Sequence, residues 1–478
     1  MKKSMIFAVA LLSAFAFASV ASAGNTYTLT LWGASAQYNF YKDRIAGLFS
    51  TGGAGCVPAT AVAEQKDNAG NTISYSCTNG NGDTYVADLN ARASYDGVYA
   101  MSGDAVTADK SNANVNGVFC NPGTKTGGVF PASCNPGTSN DTCDYAYRVM
   151  ADPSGTGTRV MPCDALKCAG GTLTENHLVC KQVDLALADV ELTSFLQNTP
   201  ARNFSSGLGI TAPSTWNSYN PMIVPFSFYA HNDITYSTCV GGDKAGMQCS
   251  AAGDCDSGNC KQNPLSNITR AQILLITFGS AQLWTDFGAG YGPAENIVLC
   301  SREAGSGTLA TLDVGLLRKT GVTAPGGYIL GWSPNDAIYT DGTTAEMYCV
   351  NDNAGAIGFA DSDQTAKMTP WVTTSAYPNA MVLNWEGITP SRRAVRNGEY
   401  DNFFSKEWIW ENTKSPNYGT WSGFKTGIKP YVTWLLNPAN GGTSLSYNWW
   451  ATLCEMTFMK DHDFTYPYYV GASCPQTP

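Results

Sequence analysis

The sequence predicts an α/β fold interrupted by disulfide-stapled loops, and three observations carry that prediction. Strand-like runs alternate with helical ones, an apolar strand run sits directly before a Gly-Ser-Gly-Thr helix start, and the cysteines crowd into segments with little to bury. "YTLTLWGAS" (27–35) alternates apolar and polar residues and breaks at Gly33, which reads as a strand and its turn. "AQYNFYKDRIAGLF" (36–49) follows with helical spacing. "KQVDLALADVEL" (181–192), "YNPMIVPFSFYA" (219–230) and "ENIVLC" (295–300) read as further buried strands.

The second observation is the run after the last of these, "SREAGSGTLATLD" (301–313). Its spacing predicts a helix over 306–319. Leu309, Leu312, Leu316 and Leu317 fall on one apolar face, Arg318 and Lys319 sit in the last turn, and Gly321 stops it. Ser306 is the natural N-cap. The first amides of such a helix lack internal partners and carry about half a positive charge. Gly305 and Gly307 let a guest approach the backbone, Ser306 and Thr308 add hydroxyls, and Arg302 offers a fork suited to two oxygens of an oxyanion. The same residues are compatible with a plain capped helix beside an exposed arginine. A phosphate-cradling P-loop needs a lysine after Gly307, and a nucleophile elbow needs glycines where Ala304 and Thr308 stand. A serine hydrolase built on Ser306 would also need one of only three histidines, His177, His231 or His462.

The third observation is the cysteine distribution. All 16 cysteines follow the first 23 residues, and twelve fall between Cys56 and Cys260. An even count without Cys-x-x-Cys pairs or clustered histidines favours disulfides over metal ligation. Cysteine-, glycine- and asparagine-rich stretches at 51–83, 103–180 and 237–263 read as insertions in a standard scaffold, with the four cysteines from Cys239 to Cys260 pairing among themselves and Cys454 pairing with Cys474. No cofactor or metal is expected. The aromatic C-terminal third ("DNFFSKEWIWENT", "KPYVTWLL") reads as packing, and "SLSYNWWATLCEMTFM" (444–459) as a terminal amphipathic helix.

Residues 1–23 have the make-up of a cleaved export signal: Lys2 and Lys3, an apolar Ile6–Val20 stretch, then Ala21-Ser22-Ala23. No later stretch is apolar for the ~18 residues a membrane span needs. The expected location is therefore the periplasm or the exterior. The formal charge of −10 becomes −12 once Lys2 and Lys3 leave, which excludes a general nucleic-acid or anionic-membrane binder.

The order of segments resembles the phosphate-binding component of ABC importers. The resemblance rests on "NPLSNITRAQILLITFGSAQLWTDFG" (263–288), then "ENIVLCSREAGSGT", then "NAGAIGFADSD" (353–363). It implies a type II periplasmic binding protein: two mixed-sheet α/β lobes, a two-crossing hinge and an interlobe ligand site. The implied lobes are 24–224 with 370–478, and 225–369, with crossings near Pro225 and Pro370. The family's anion ligands map onto Arg302, Ser306, Gly307 and Thr308. Its N-terminal cleft segment maps onto 33–38, where Gln37 and Tyr38 replace threonine and phenylalanine. Its Gly-Ser-Ser-Gly-Gly loop corresponds to 93–97, placing Ser94 and Tyr95. Its proton-accepting aspartate corresponds to Asp189, which is equally placed to cap the run that follows it.

The implied role is capture of phosphate or a similar oxyanion, without catalysis, for an ABC permease partner. The altered cleft segments and heavy decoration leave two alternatives: an exported structural or interaction protein with a degenerate site, and a Ser306 hydrolase.

Overall fold

The computed structural model describes residues 24–47, 49, 56, 63–66, 72–92, 94, 97–98, 184–192, 194, 216–302, 306–317, 337–340, 342–401, 403–413, 449–451, 453–463 and 465–473, with short strands at 118–122, 149–151, 158–160 and 178–182. The expected signal segment, Tyr95, Arg318 and Lys319 lie outside these residues.

Along the chain, strand β1 (Thr26–Ala34) leads through a short 3-10 turn into helix α1 (Tyr38–Gly47). Strands β2 (Ala63–Lys66), β3 (Thr72–Thr78), β4 (Thr84–Arg92), β5 (Leu185–Ala188) and β6 (Trp216–Tyr219) follow. Then come β7 (Ile223–His231), the hairpin β8 (Thr235–Cys239) and β9 (Cys260–Pro264), and helix α2 (Arg270–Thr277). Strand β10 (Val298–Arg302) feeds α3 (Gly307–Leu312); β11 (Ala337–Thr340), α4 (Thr343–Asp352) and β12 (Ala356–Asp361) continue the alternation. Strand β13 (Ala380–Val382), helix α5 (Arg392–Arg396), β14 (Phe404–Lys406) and β15 (Trp408–Asn412) complete the framework.

Two mixed sheets result. The first runs β6-β15-β5-β1-β4-β3-β2, and the second β11-β10-β12-β7-β13 with β14 paired to β7. Strand β1 is parallel to both neighbours, β4 and β5, and Leu29, Leu31 and Trp32 are fully buried. A strand covered on both faces needs apolar character throughout, and here even Thr30 is buried.

Residues 51–83 are not purely a looped insertion. Strands β2 and β3 extend the first sheet, and Cys56–Cys77 ties the preceding segment to β3. The alternation of Tyr75 and Cys77 into the core was obscured by the polar turn at 79–83, in which Asn79 Oδ1 accepts the amides of Asn81 and Asp83. The 237–263 segment does form a disulfide-knotted hairpin, β8 with β9, closed by Cys239–Cys255 and Cys249–Cys260. Cys454 is disulfide-bonded, while Cys474 lies outside the described residues.

The chain leaves the first sheet at Tyr219 and enters the second at Ile223. It returns between Lys406 and Trp408, so Glu407 is the residue between β14 and β15. These two passages are side by side: Glu407 N donates to Met222 O at 2.9 Å, and Asn220 Nδ2 donates to Glu407 O at 2.8 Å. The return passage expected near Pro370 is therefore displaced by more than one element, since β13 pairs with β7 in the second sheet. Proline marks turns as readily as linkers, and Pro370 stands in a turn after the Ser362–Lys367 3-10 segment.

The aromatic residues of the C-terminal third pack in the core as expected. Phe403 stacks on Phe228 at 4.7 Å between centroids, and Trp385 lies 5.1 Å from Phe228. The expected helix over 444–459 is absent in its described part, which holds a 3-10 turn (Leu453–Glu455) and a short strand (Phe458–Met459). Trp449, Trp450 and Met456 are all buried, so consecutive tryptophans cannot share a single helical face; tertiary packing decides the backbone here.

Candidate functional site

The helix start at Ser306 forms as its sequence dictates. Ser306 Oγ accepts the Leu309 amide at 3.3 Å, the expected N-cap bond. Helix α3 then departs from expectation: it gives way to a π-helical segment at Asp313–Leu317, and every residue from 306 to 316 is buried. The segment is thus an internal element, not a surface helix with one apolar stripe.

What lies against it decides the site. A Cβ added at Gly307 would fall 2.3 Å from Ser94 Oγ, 2.6 Å from Asp189 Cβ and 2.8 Å from Asp189 Oδ2. Thr308 Oγ1 donates to Asp189 Oδ2 at 3.3 Å, and the Asp189 amide donates to Ser94 Oγ at 3.0 Å. The Gly-Thr start on the second sheet therefore meets the ends of β4 and β5 on the first. Ser35 Oγ and Thr343 Oγ1 add a second bond between the same two halves at 2.9 Å, and Thr343 Oγ1 also reaches Asp361 Oδ1 at 2.8 Å.

Arg302, at the end of β10, is 1 % exposed. Its charge acts on both Asp189 and Glu346. Glu346 accepts from Thr340 Oγ1 at 2.6 Å and from the Phe359 amide at 3.2 Å. Burial pushes its carboxyl up to about 7, against the Thr340 bond and the Arg302 charge. Cys300–Cys349 fastens β10 to α4, so the strand carrying Arg302 and the helix carrying Glu346 are covalently joined.

Asp189 is completely buried, and burial raises its carboxyl despite a hydrogen bond with Glu407 and the attraction of Arg302. Glu407 is also raised, first by burial and then by the Asp189 charge. Asp361 is pushed up by burial but ends lowered, because hydrogen bonds with Asp363, Gln364 and Thr343 outweigh it.

Of the residues expected at the site, Arg302, Ser306, Gly307, Thr308, Ser94 and Asp189 come together. Gln37 reaches the same region, but its amide works as a staple: Nε2 donates to Ala188 O at 3.0 Å and Trp408 O at 3.1 Å. Tyr38 is half-buried against the core. Tyr95 lies outside the described residues. Glu407, Glu346, Ser35 and Thr343 were not singled out by the sequence, and no local pattern around them marks them. His231 pairs with Asp233 at 2.7 Å and His462 with Glu191 at 3.0 Å, and His177 lies outside the described residues.

A cavity of about 200 Å³ lies elsewhere, lined by Trp371, Arg392, Arg393, Arg396 and Trp449 among others. The clustered Cys239, Cys249 and Cys255 are all in disulfides, so none of them is a thiolate.

No family model and no curated protein matches this chain. Solved structures that it distantly resembles include phosphate-binding proteins. An ABC-type phosphate transport receptor from Vibrio cholerae is 14 % identical, with a TM-score of 0.32, covering 56 % of this chain and 79 % of that one. A phosphate-binding protein from Stenotrophomonas maltophilia is 10 % identical, with a TM-score of 0.36 and coverage of 83 % and 82 %. The high-affinity periplasmic protein PfluDING, bound with phosphate, is 13 % identical, with a TM-score of 0.35 and coverage of 57 % and 76 %. At these identities and scores the likeness is distant, and the function rests on the site itself.

Proposed function

We propose that this chain is an exported solute-binding protein that captures phosphate, or a similar oxyanion that still carries a proton, between its two α/β halves. It works by binding and closure and makes no covalent bond; delivery is to an ABC-type permease. The two halves correspond to the lobes, roughly 24–224 with the C-terminal segment and the central segment from 225, with the return passage placed at Glu407.

The observation that carries this reading is the meeting of the Ser306–Thr308 helix start with Ser94 and Asp189 while Arg302 is buried alongside. Amide and hydroxyl donors plus a guanidinium suit oxyanion oxygens. Asp189, an acceptor, repels a fully deprotonated guest and accepts from one that retains an O–H. Export is supported by the composition of residues 1–23 and by the disulfides. No helix among the described residues is long and apolar enough to cross a membrane.

The test is calorimetric titration and thermal shift of the mature protein with phosphate, arsenate and sulfate, repeated on Arg302→Ala. Phosphate and arsenate are expected to bind, sulfate to bind far more weakly, and Arg302→Ala to abolish the response. Ligand at 100-fold above Kd adds about 2.7 kcal/mol of stability. No response to any of the three anions overturns the reading.

A further inference from the structure

The passage between the two sheets places a carboxyl where the pocket carboxyl can reach it. Glu407 separates β14 from β15 and is tied to the outgoing passage by its amide, which donates to Met222 O, and by its carbonyl, which accepts from the Asn220 side chain. Its own side chain is wholly buried, accepts from Ser405 Oγ, and meets the Asp189 carboxyl and the Gln37 amide. Asp189 Oδ1, Glu407 Oε2 and Gln37 Oε1 are each buried with no hydrogen-bond donor among the described residues. Both protons of Gln37 Nε2 are already spent on Ala188 O and Trp408 O. Acceptors cannot satisfy one another, and leaving them bare costs each its desolvation. Two carboxyls in contact resolve this by holding one proton between them.

We propose that Glu407 is the proton-holding partner of Asp189: the proton shared by the two carboxyls sets the charge that a bound oxyanion meets, and capture weakens when that proton leaves. This deepens the oxyanion reading above and rests on it for its ligand. With the proton in place the pair carries one negative charge, opposite the single positive charge of Arg302. Without it the pair carries two and repels both its own members and the guest. The other charged groups around the pair are Asp361, at the end of β12, which raises Asp189, and Lys460, buried beyond β14, whose charge acts on Asp463, Glu191 and Glu407. Burial holds Lys460 down to about 8, so its charge fades at alkaline pH and reinforces the loss instead of opposing it. Because Glu407 lies in the passage between the sheets, the same charge change acts where the halves are joined.

The experiment compares the mature wild-type protein with Glu407→Gln, and with Asp189→Asn as a second way of breaking the pair. Urea midpoints without ligand are measured from pH 5 to pH 9. Glu407 keeps its proton in the folded chain, whereas the unfolded chain releases it in the ordinary glutamate range. Wild-type stability relative to Glu407→Gln is therefore fully present below that range and declines as pH rises toward the folded value. Phosphate affinity is then taken as the ratio of wild type to Glu407→Gln at each pH, in which the ionisation of phosphate itself cancels. Above the pair's upper titration this ratio is expected to fall by up to about tenfold per pH unit.

A midpoint difference that stays flat for both variants overturns the shared proton. A moving midpoint difference with a flat affinity ratio overturns its control of binding. A moving midpoint difference in a wild type that binds no phosphate at any pH defeats the oxyanion reading and the binding half of this proposal, while leaving the proton pair standing.

Discussion

Replacing Gly307 with alanine tests the meeting of the two halves with the smallest possible change. The added Cβ would lie 2.3 Å from Ser94 Oγ, whereas ordinary contact begins at 3.4 Å, so one side must retreat by about 1.1 Å. Ser94 has little freedom to do so. It is buried and its hydroxyl accepts the Asp189 amide, while Asp189 itself approaches the new methyl at 2.6 and 2.8 Å. Overpacking of this kind costs about 1–3 kcal/mol. On the closure proposed above, the cost falls on the closed arrangement alone, because Gly307 and Ser94 belong to different halves. Within its own helix, alanine is favoured over glycine by up to about 1 kcal/mol. The ligand-free variant should therefore melt close to wild type, while phosphate affinity drops about 5- to 150-fold. Calorimetric titration gives the affinity, and small-angle scattering with and without phosphate gives the closure. Wild-type affinity in Gly307→Ala would refute the packing argument, whatever the melting temperature did.

Three further outcomes follow from the same geometry. Arg302→Ala leaves Asp189 and Glu346 without their neighbouring positive charge and should cost about 3–5 kcal/mol of stability along with the anion response; urea unfolding checks it, and Arg302→Lys should restore more of the stability than of the binding. Opening Cys300–Cys349 by the double serine replacement releases a loop with a sequence separation of 49, worth about 4 kcal/mol on chain entropy, and should lower the melting temperature whether or not reductant is present. Glu346, raised by burial from 4.5 to about 7, holds a proton in the folded chain that the unfolded chain gives up; wild type should therefore lose on the order of 3 kcal/mol relative to Glu346→Gln as pH climbs from 4.5 past 7, and equal pH profiles for the two proteins would contradict it.

The sequence was most informative where local chemistry and tertiary role coincide. Ser306 as a cap, β1 as a strand, and the knotted 239–260 hairpin are each dictated within a dozen residues, and each is found; the turn expected at Gly33 is not, since β1 runs through it to Ala34. Gly33 takes φ +137°, and a Cβ there would strike Leu187 O at 2.1 Å, so the glycine serves the close parallel pairing of β1 with β5. Legibility ended where distant segments decide the outcome. Nothing local shows that Thr343 will meet Ser35 across 308 residues, or that the lone acid in "SKEWIW" faces inward between two sheets. The tryptophans misled for a related reason. Trp449 and Trp450 suggested a helical face, yet both are buried by neighbours far away in sequence, among them Phe40 against Trp450 at 5.9 Å.

The decoration and the site obey different constraints, and this bears on the choice between a transport component and a scaffold that has lost its ligand. A scaffold gains nothing from burying charge. Isolated carboxylates and guanidinia in a dry interior cost several kcal/mol each, and apolar replacements of similar volume are usually neutral or stabilising. Here Asp189, Glu346, Asp361, Glu407 and Arg302 are all nearly or wholly buried around the meeting of the two halves. The disulfide hairpin, by contrast, is exposed over most of its length and spends its cysteines on itself. Four acids and one arginine buried together are what the proposed guest asks of the site and what a packing scaffold does not need. Substituting Asp189 and Glu407 together by asparagine and glutamine puts that to the test. If the cluster is kept for binding, the double variant should be more stable than wild type at pH 8 and should no longer tell phosphate from sulfate. A less stable variant that still discriminates between the two anions would return the charges to a structural role.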